Sequence, residues 1–302
     1  SDGGLEEAIK NADEFVKVFK KHVDVPAIIE STKKFRDAAT NKKSNEVAKE
    51  MPAVRIFISG DRSHVGKSSV CMGLLGSLLD LGYAPESLAY IKPVTQCEAP
   101  QLIEDYCKKK GIVCVPVGPV VFYKGFTREF IAGRTQTSEE LLSMAAEAVD
   151  TLAKGKKFVI IDGVGYPAVG SIVGVSNAHT AAACGYVNGK DGVPVLFVGK
   201  SGVGDAVDSF NLNTTFFESM GVPVIGALFN RLSLEGYYSL DNCKEAVGEY
   251  FLKYKPDKKA FGFVPEVPGI SLSRESDGGL EEAIKNADEF VKVFKKHVDV
   301  PA

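Results

Sequence analysis

The chain has 302 residues, 45% hydrophobic and 25% charged, which suffices for one large core or two small ones and excludes a disordered composition. A net charge of −3, with lysines interleaved among acids, excludes the basic footprint of a nucleic-acid binder and leaves a small molecule or a protein as partner. Six cysteines without a C-x-x-C pair and only four histidines argue against a disulfide frame or a histidine-rich metal centre. With no apolar run of membrane-spanning length and no secretory segment at the start, a cytoplasmic or organellar protein is expected, not a membrane one.

Residues 1–27 recur without change as residues 276–302, so every residue of the first copy reappears 275 positions later. Divergence within one fold does not leave such identity; a piece of a tandem array or a permuted or fused chain does. Met51 stands just before the first core strand, so residues 1–50 would then be a carboxy-terminal tail placed in front. Each copy reads as an amphipathic helix, with Leu5, Ile9, Ala12, Phe15, Val16 and Phe19 at spacings of three and four, Asp2 as a cap and lysines in the last turn. Such a stripe is more often packing than function, and two identical copies should compete for one docking surface. A second helix is expected over 27–39, after Pro26, with a polar linker over 40–50.

Residues 54–69, V-R-I-F-I-S-G-D-R-S-H-V-G-K-S-S, pass from a β-rich apolar run through a glycine-bounded loop into a helix. This is the pattern of a phosphate-binding loop. Gly60 turns the chain out of the strand, Gly66 lets the backbone approach an anion, and the amides of Val65 to Ser69 face it from the positive end of a helix. Ser63, His64 and Val65 line the loop, Lys67 adds charge for the terminal phosphates, and the Ser68 hydroxyl suits Mg²⁺. Five residues separate Gly60 from Gly66, where the common pattern has four.

Short β-branched runs then alternate with helical stretches, which predicts a doubly wound, mainly parallel sheet with helices on both faces. A helix is expected from Lys67 to about Leu81 and a strand over Leu88–Ile91, which delivers Lys92 to the sheet's carboxyl edge, where such folds bind ligands. The middle suggests a helix from Ala99 to Lys110, strands over Val113–Val117 and Val120–Tyr123, and a substrate or partner region up to Arg134. A capped helix follows over Ser138–Lys154. Residues 158–165, F-V-I-I-D-G-V-G, read as a buried strand whose terminal Asp162 can hold Mg²⁺ opposite Lys67 and Ser68. The glycines at 163, 165 and 170 permit close approach, and His179 reads as packing or capping. Strands are expected over 194–199, 224–230 and 260–264, with helices over 206–220 and 235–254. Asn230 ends the penultimate strand, where its amide can meet a purine base.

Taken in order, G-D-R-S-H-V-G-K-S-S, Y-I-K-P-V, V-I-I-D-G-V-G, V-P-V-L-F-V-G, G-A-L-F-N-R and F-G-F-V-P make residues 52–268 resemble the dethiobiotin synthetase-like branch of P-loop proteins. That branch includes the cobyrinate and cobyrate amidating synthases and the P-loop domain preceding some phosphate acetyltransferases. Dethiobiotin synthetase shares the five-residue spacer. The resemblance implies that Lys67 and Ser68 hold ATP and Mg²⁺, that Lys92 helps bind carbamate and phosphate, and that Asn230 reads adenine. It further implies transfer of the ATP γ-phosphate to a carboxylate or carbamate, followed by attack of an amine. Three departures stand out. Asp162-Gly163-Val164-Gly165-Tyr166 replaces Glu-Gly-Ala-Gly-Gly. The segment Tyr123 to Phe130 replaces the diamine-binding stretch. The second metal acid has no clear match beyond Glu104 or Asp105. Arg62 falls where related dimeric ATPases carry a lysine that reaches across to the partner's nucleotide.

The expected organisation is a helical segment and linker (1–50), a P-loop NTPase domain of three α/β/α layers (51–270) and a terminal helix (271–302). The expected site is Gly60, Ser63, His64, Val65, Gly66, Lys67, Ser68, Ser69 and Asn230 for the nucleotide, with Lys67, Lys92 and Asp162 catalytic and Ser68 and Asp162 on Mg²⁺. The other reading is a non-catalytic nucleotide-binding module that assembles as a homo-oligomer or with a tandem-repeat neighbour through the repeated helix.

Overall fold

The apolar run before the glycine-bounded loop forms β1 (Val54–Gly60), buried along its whole length. In the computed structural model, which describes residues 2–41, 51–96, 102–186 and 192–265, β1 lies between β6 (Phe158–Asp162) and β7 (Val195–Gly199) and pairs in parallel with both. Beyond β6 come β2 (Leu88–Ile91) and β4 (Val113–Val115). On the other side, β8 (Val224–Leu232) and β9 (Lys259–Pro265) follow β7. The order β4-β2-β6-β1-β7-β8-β9 is parallel throughout. Strands so placed are covered on both faces, which is why they read as continuous apolar runs and not as alternation.

Successive side chains of β1 go to opposite faces. Ile56 and Ile58 join a core with Leu75, Tyr90, Ile160 and Leu228 under α1 (Asp2–His22), α2 (Val25–Asn41), α3 (Lys67–Asp80) and α4 (Leu102–Lys110). Phe57 joins Ile161, Phe197 and Phe229 under α6 (Ser138–Ala153), α7 (Asn177–Ala183), α8 (Gly204–Ser219) and α9 (Leu240–Tyr254). This is the expected doubly wound three-layer fold, and its strand order reverses beside β1, where open α/β sheets bind ligands at the carboxyl ends of the strands. Among the described residues no helix is long and apolar enough to cross a membrane, and Cys71, Cys107, Cys114, Cys184 and Cys243 are free thiols.

The first copy of the duplicated segment docks on its own domain. Val16 and Phe19 of α1 are buried against Gly76 and Gly73 of α3, positions at which any Cβ would overlap them. Burying a side chain of this size contributes about 2–3 kcal/mol. The strip ends where Val23 forms an antiparallel bridge with Gly262 of β9. The second copy, within the expected terminal segment 271–302, lies outside the described residues, as does the linker from 42 to 50.

Several boundaries differ from the sequence reading. The strand expected to reach Val117 stops at Val115, because Pro116 cannot donate to a ladder. The helix expected from 235 starts at Leu240, since Ser239 accepts from Asn242 N (3.4 Å) as its cap and Gly236 before it has φ 88°. The strand expected over 120–123 is two residues long, β5 (Val120–Val121), and pairs outside the main sheet with β3 (Val94–Thr95). A short helix not anticipated, α5 (Phe126–Ile131), follows it. These pieces share a small core of Val94, Val120, Phe126, Leu141 and Val173. The second helix runs further than expected at both ends, over the 25–41 range of α2.

Candidate nucleotide site

The loop from Asp61 to Gly66 leaves the carboxyl end of β1 and closes onto the first turn of α3, which begins at Lys67. Its start is tied to β7, where Asp61 N donates to Val198 O (3.1 Å). Its far side is gripped from the end of β8. The Asn230 amide Nδ2 donates to Val65 O (2.9 Å) and Arg231 Nη1 donates to His64 O (3.0 Å). His64 and Arg231 are the non-glycine residues with positive φ among the described ones, at 62° and 60°, so a strained pair of backbones is held by one hydrogen bond between them. Gly66 is required twice over: its φ is 93°, and a Cβ there would overlap the Asn230 amide.

Across the loop, Asp162 is fully buried at the end of β6. Its Oδ2 accepts from Ser68 Oγ (2.9 Å) and from the Tyr90 hydroxyl (2.7 Å), and Lys92 Nζ stands 3.6 Å from it. Its Oδ1 is buried without a hydrogen-bond partner. A carboxylate oxygen left open beside a serine hydroxyl is the hard donor pair that Mg²⁺ takes, with ligand phosphates and water completing the shell. No group of three His, Cys, Asp or Glu that could hold a metal occurs among the described residues. Glu104 and Asp105, in the first turn of α4, are thus not gathered with Asp162 into such a cluster.

Lys67 Nζ donates to the carbonyl of Gly165 (2.6 Å), in the loop after β6. Burial pushes the Lys67 ammonium below its ordinary pKa, the neighbouring Lys92 adds to this, and Asp162 opposes it. Burial, and then the charge of Asp162, push the Tyr90 phenol well above its usual value, so it stays protonated as the donor to that carboxylate. Asp61 is shifted upward by burial, against the pull of Arg62 and Lys200. The result is two lysines and one carboxylate gathered where little solvent reaches, a setting in which an anion with several negative oxygens would supply the partners that water does not.

Gly60, Val65, Gly66, Lys67, Ser68, Lys92, Asp162 and Asn230 are thereby brought to one end of the sheet. Ser63 and His64 are exposed on the loop and Ser69 is half-buried in the first turn of α3. The side chain of Arg62 is 56% exposed beside Asp61. His179 sits in the first turn of α7, its Nδ1 2.6 Å from the capping Ser176 Oγ, consistent with capping. Sequence reasoning did not single out Tyr90, although it lies two residues before Lys92 and hence on the same face of the strand. Nor did it find Asn177, which fixes the loop after β6. Asn177 Oδ1 accepts from Val164 N (2.9 Å), while its Nδ2 donates to the carbonyls of Val164 (2.9 Å) and Tyr166 (3.1 Å). No local pattern marks that residue.

A glycine-bounded loop between a central parallel strand and a helix, faced by a lysine and an acid from neighbouring strands, defines a P-loop NTPase domain. The family model described as AAA domain, AAA_26, matches residues 54–271, and the chain belongs to that family. No curated protein matches the sequence. In structure the chain is similar to a plasmid partition protein from Borrelia burgdorferi (14% identity, 82% of this chain and 99% of the other, TM-score 0.42). It is also similar to the signal recognition particle receptor FtsY from Elizabethkingia anophelis (12%, 96% and 97%, 0.45). A ParA family ATPase from Chlorobium tepidum TLS is a third such structure (12%, 81% and 93%, 0.40).

Proposed function

We propose that the domain binds ATP with Mg²⁺ and transfers the γ-phosphate to a carboxylate or carbamate, in the manner of the dethiobiotin synthetase-like branch. The observation that carries this reading is the convergence of Ser68, Tyr90 and Lys92 on Asp162, with Lys67 beside them. In this assignment the loop amides and Lys67 hold the β- and γ-phosphates. Ser68 and Asp162 would hold the metal, which would neutralise phosphate charge. Lys92 meets the acceptor oxygen as it bonds to phosphorus and ADP departs, and an amine then displaces the phosphate from the activated carbon. Catalysis of this kind is positioning and charge neutralisation. Asn230 has its amide nitrogen engaged by the loop, which leaves its carbonyl oxygen as the group for the adenine amine. The exposed Tyr123 and Tyr166 side chains form the acceptor side.

The test is ADP release from ATP and Mg²⁺, measured with and without bicarbonate and a panel of carboxylates and amines. Slow release that one acceptor class accelerates supports the reading. Tight ATP binding with release that no acceptor changes supports a second one, a nucleotide-binding module used for assembly, which the repeated 27-residue segment favours. Absence of ATP binding in calorimetry removes both.

A further inference from the structure

The surface beneath α1 recognises a sequence that the chain carries twice. Ile9, Ala12, Phe15, Val16 and Phe19 are buried in it, and the two closest approaches, at Gly73 and Gly76, leave no room for another side chain. Polar contacts set the register of this strip. Lys110 Nζ lies 2.6 Å from Asp13 Oδ1, Lys259 Nζ donates to Asp24 Oδ2 (2.6 Å), and Asp24 N donates to Phe261 O (2.7 Å). Lys20 pairs with Asp80. Every residue of the first copy in these contacts has an identical counterpart 275 positions later: Ile284, Ala287, Asp288, Phe290, Val291, Phe294, Lys295 and Asp299. A groove that selects by shape and charge cannot tell the copies apart; only their tethers differ.

We propose that the groove formed by α3, α4 and β9 is an exchange site, occupied in turn by residues 1–27 and by the chain's own residues 276–302. Reach favours the chain's own tail over that of a second molecule. From Pro265 to Asp277 the backbone extends to about 40 Å, while a helix the length of α1 is about 30 Å long. The tail therefore returns to the groove without strain. A tethered segment acts at an effective concentration near millimolar, far above that of a second molecule in dilute solution. One of two identical amphipathic segments is then always undocked, and loss of either leaves the domain covered.

Redundancy is what the test reads. In the full chain, Phe19→Ala, Phe294→Ala and the pair are compared by thermal unfolding, with molar mass by light scattering. Each single variant is expected to lower the unfolding midpoint by less than about 2 °C, because the intact copy takes the groove. The pair should lower it by about 10 °C, the scale of an emptied aromatic site in a domain of this size. A pair too unstable to purify is the same result carried further, since both single variants fold. The proposal fails if Phe19→Ala alone loses about 10 °C while Phe294→Ala is silent, which would mean that only the first copy docks. It fails equally if the pair shows no more than two small losses added together. A doubled molar mass for Phe19→Ala would put a second molecule's tail in the groove and overturn the assignment to the chain's own.

Discussion

The phosphate loop and the outer segment from Phe122 to Arg134 stand at the same end of the molecule and are built on opposite terms. Around the loop the candidate side chains are buried or half-buried and held by bonds on every side: Lys67 to the Gly165 carbonyl, and Ser68, Tyr90 and Lys92 to the Asp162 carboxylate. In the outer segment Tyr123 is half exposed and Ile131 more than half, resting on a small satellite core through Phe122 and Phe126. A region closed on itself fixes one chemistry, and a region that leaves its aromatic faces open can be altered without unmaking the fold. Variants in the two regions should therefore separate nucleotide binding from acceptor choice.

The largest effect is expected at Lys67. Lys67→Ala removes the cation nearest the expected γ-phosphate and should reduce ATP turnover about 100-fold or more, by the scale of a lost charge-stabilising donor. Single-turnover ADP release measures it. Next comes Gly66→Ala, which forces a positive φ on alanine and drives its Cβ into the Asn230 amide. A cost of about 1–3 kcal/mol is expected, read as a lower denaturant midpoint together with weaker ATP binding in calorimetry. Asn230→Ala leaves Val65 O without its donor, and a buried acceptor so orphaned costs about 1–2 kcal/mol. ATP affinity should fall about tenfold while the fold persists. If Asn230→Ala left ATP affinity unchanged, the grip of β8 on the loop would be packing and not part of the site.

A smaller effect, with a pH signature, is expected at Asp61. Burial raises its folded pKa above the ordinary value of 3.8, so the folded form holds the proton more tightly than the unfolded one. The resulting penalty is absent below the unfolded pKa, grows as pH rises through the folded pKa, and is complete above it. Asp61→Asn should thus match the parent in acid and unfold a few degrees higher at pH 7. Midpoints that differ equally at all pH values would show that the carboxylate's ionisation is not what its burial costs.

The two regions were also unequally legible in the sequence. β1, the loop and the first turn of α3 are written in sixteen consecutive residues, and β6 with Asp162 and the stretch of β8 that leads to Asn230 are short apolar runs closed by a polar group, so period and punctuation suffice. The outer layer was not legible, because β3 and β5 are two residues each and owe their pairing to Pro93 O meeting Val120 N (3.3 Å) and to Thr95 O meeting Phe122 N (2.8 Å). Those contacts join segments with no shared pattern. Tyr90 and Asn177 were missed for a related reason, since a tyrosine in a strand and an asparagine after a cap are ordinary until the fold sets each beside its partner. For α1 the stripe announced burial, but only the opposing glycines at 73 and 76 say against what.

The smallest effect is the one that tests the division itself. Tyr123→Ala and Tyr166→Ala remove side chains that are 50% and 48% exposed. Tyr123 packs edge-on against Phe126, with ring centroids 5.3 Å apart. Tyr166 is held to the loop after β6 through its backbone carbonyl and not its ring. Neither substitution opens a cavity in the main core, so the unfolding midpoint should stay within about 2 °C of the parent, as expected for surface changes. ATP affinity should stay within about twofold, because about half of each residue faces solvent. What should change is the acceleration of ADP release by whichever carboxylate or amine proves active, through a higher acceptor KM with turnover at saturation preserved, the pattern of lost ground-state binding. Should Tyr166→Ala instead weaken ATP as much as Asn230→Ala does, the phenol belongs to the nucleotide and the boundary between the two regions moves outward, past Gly165.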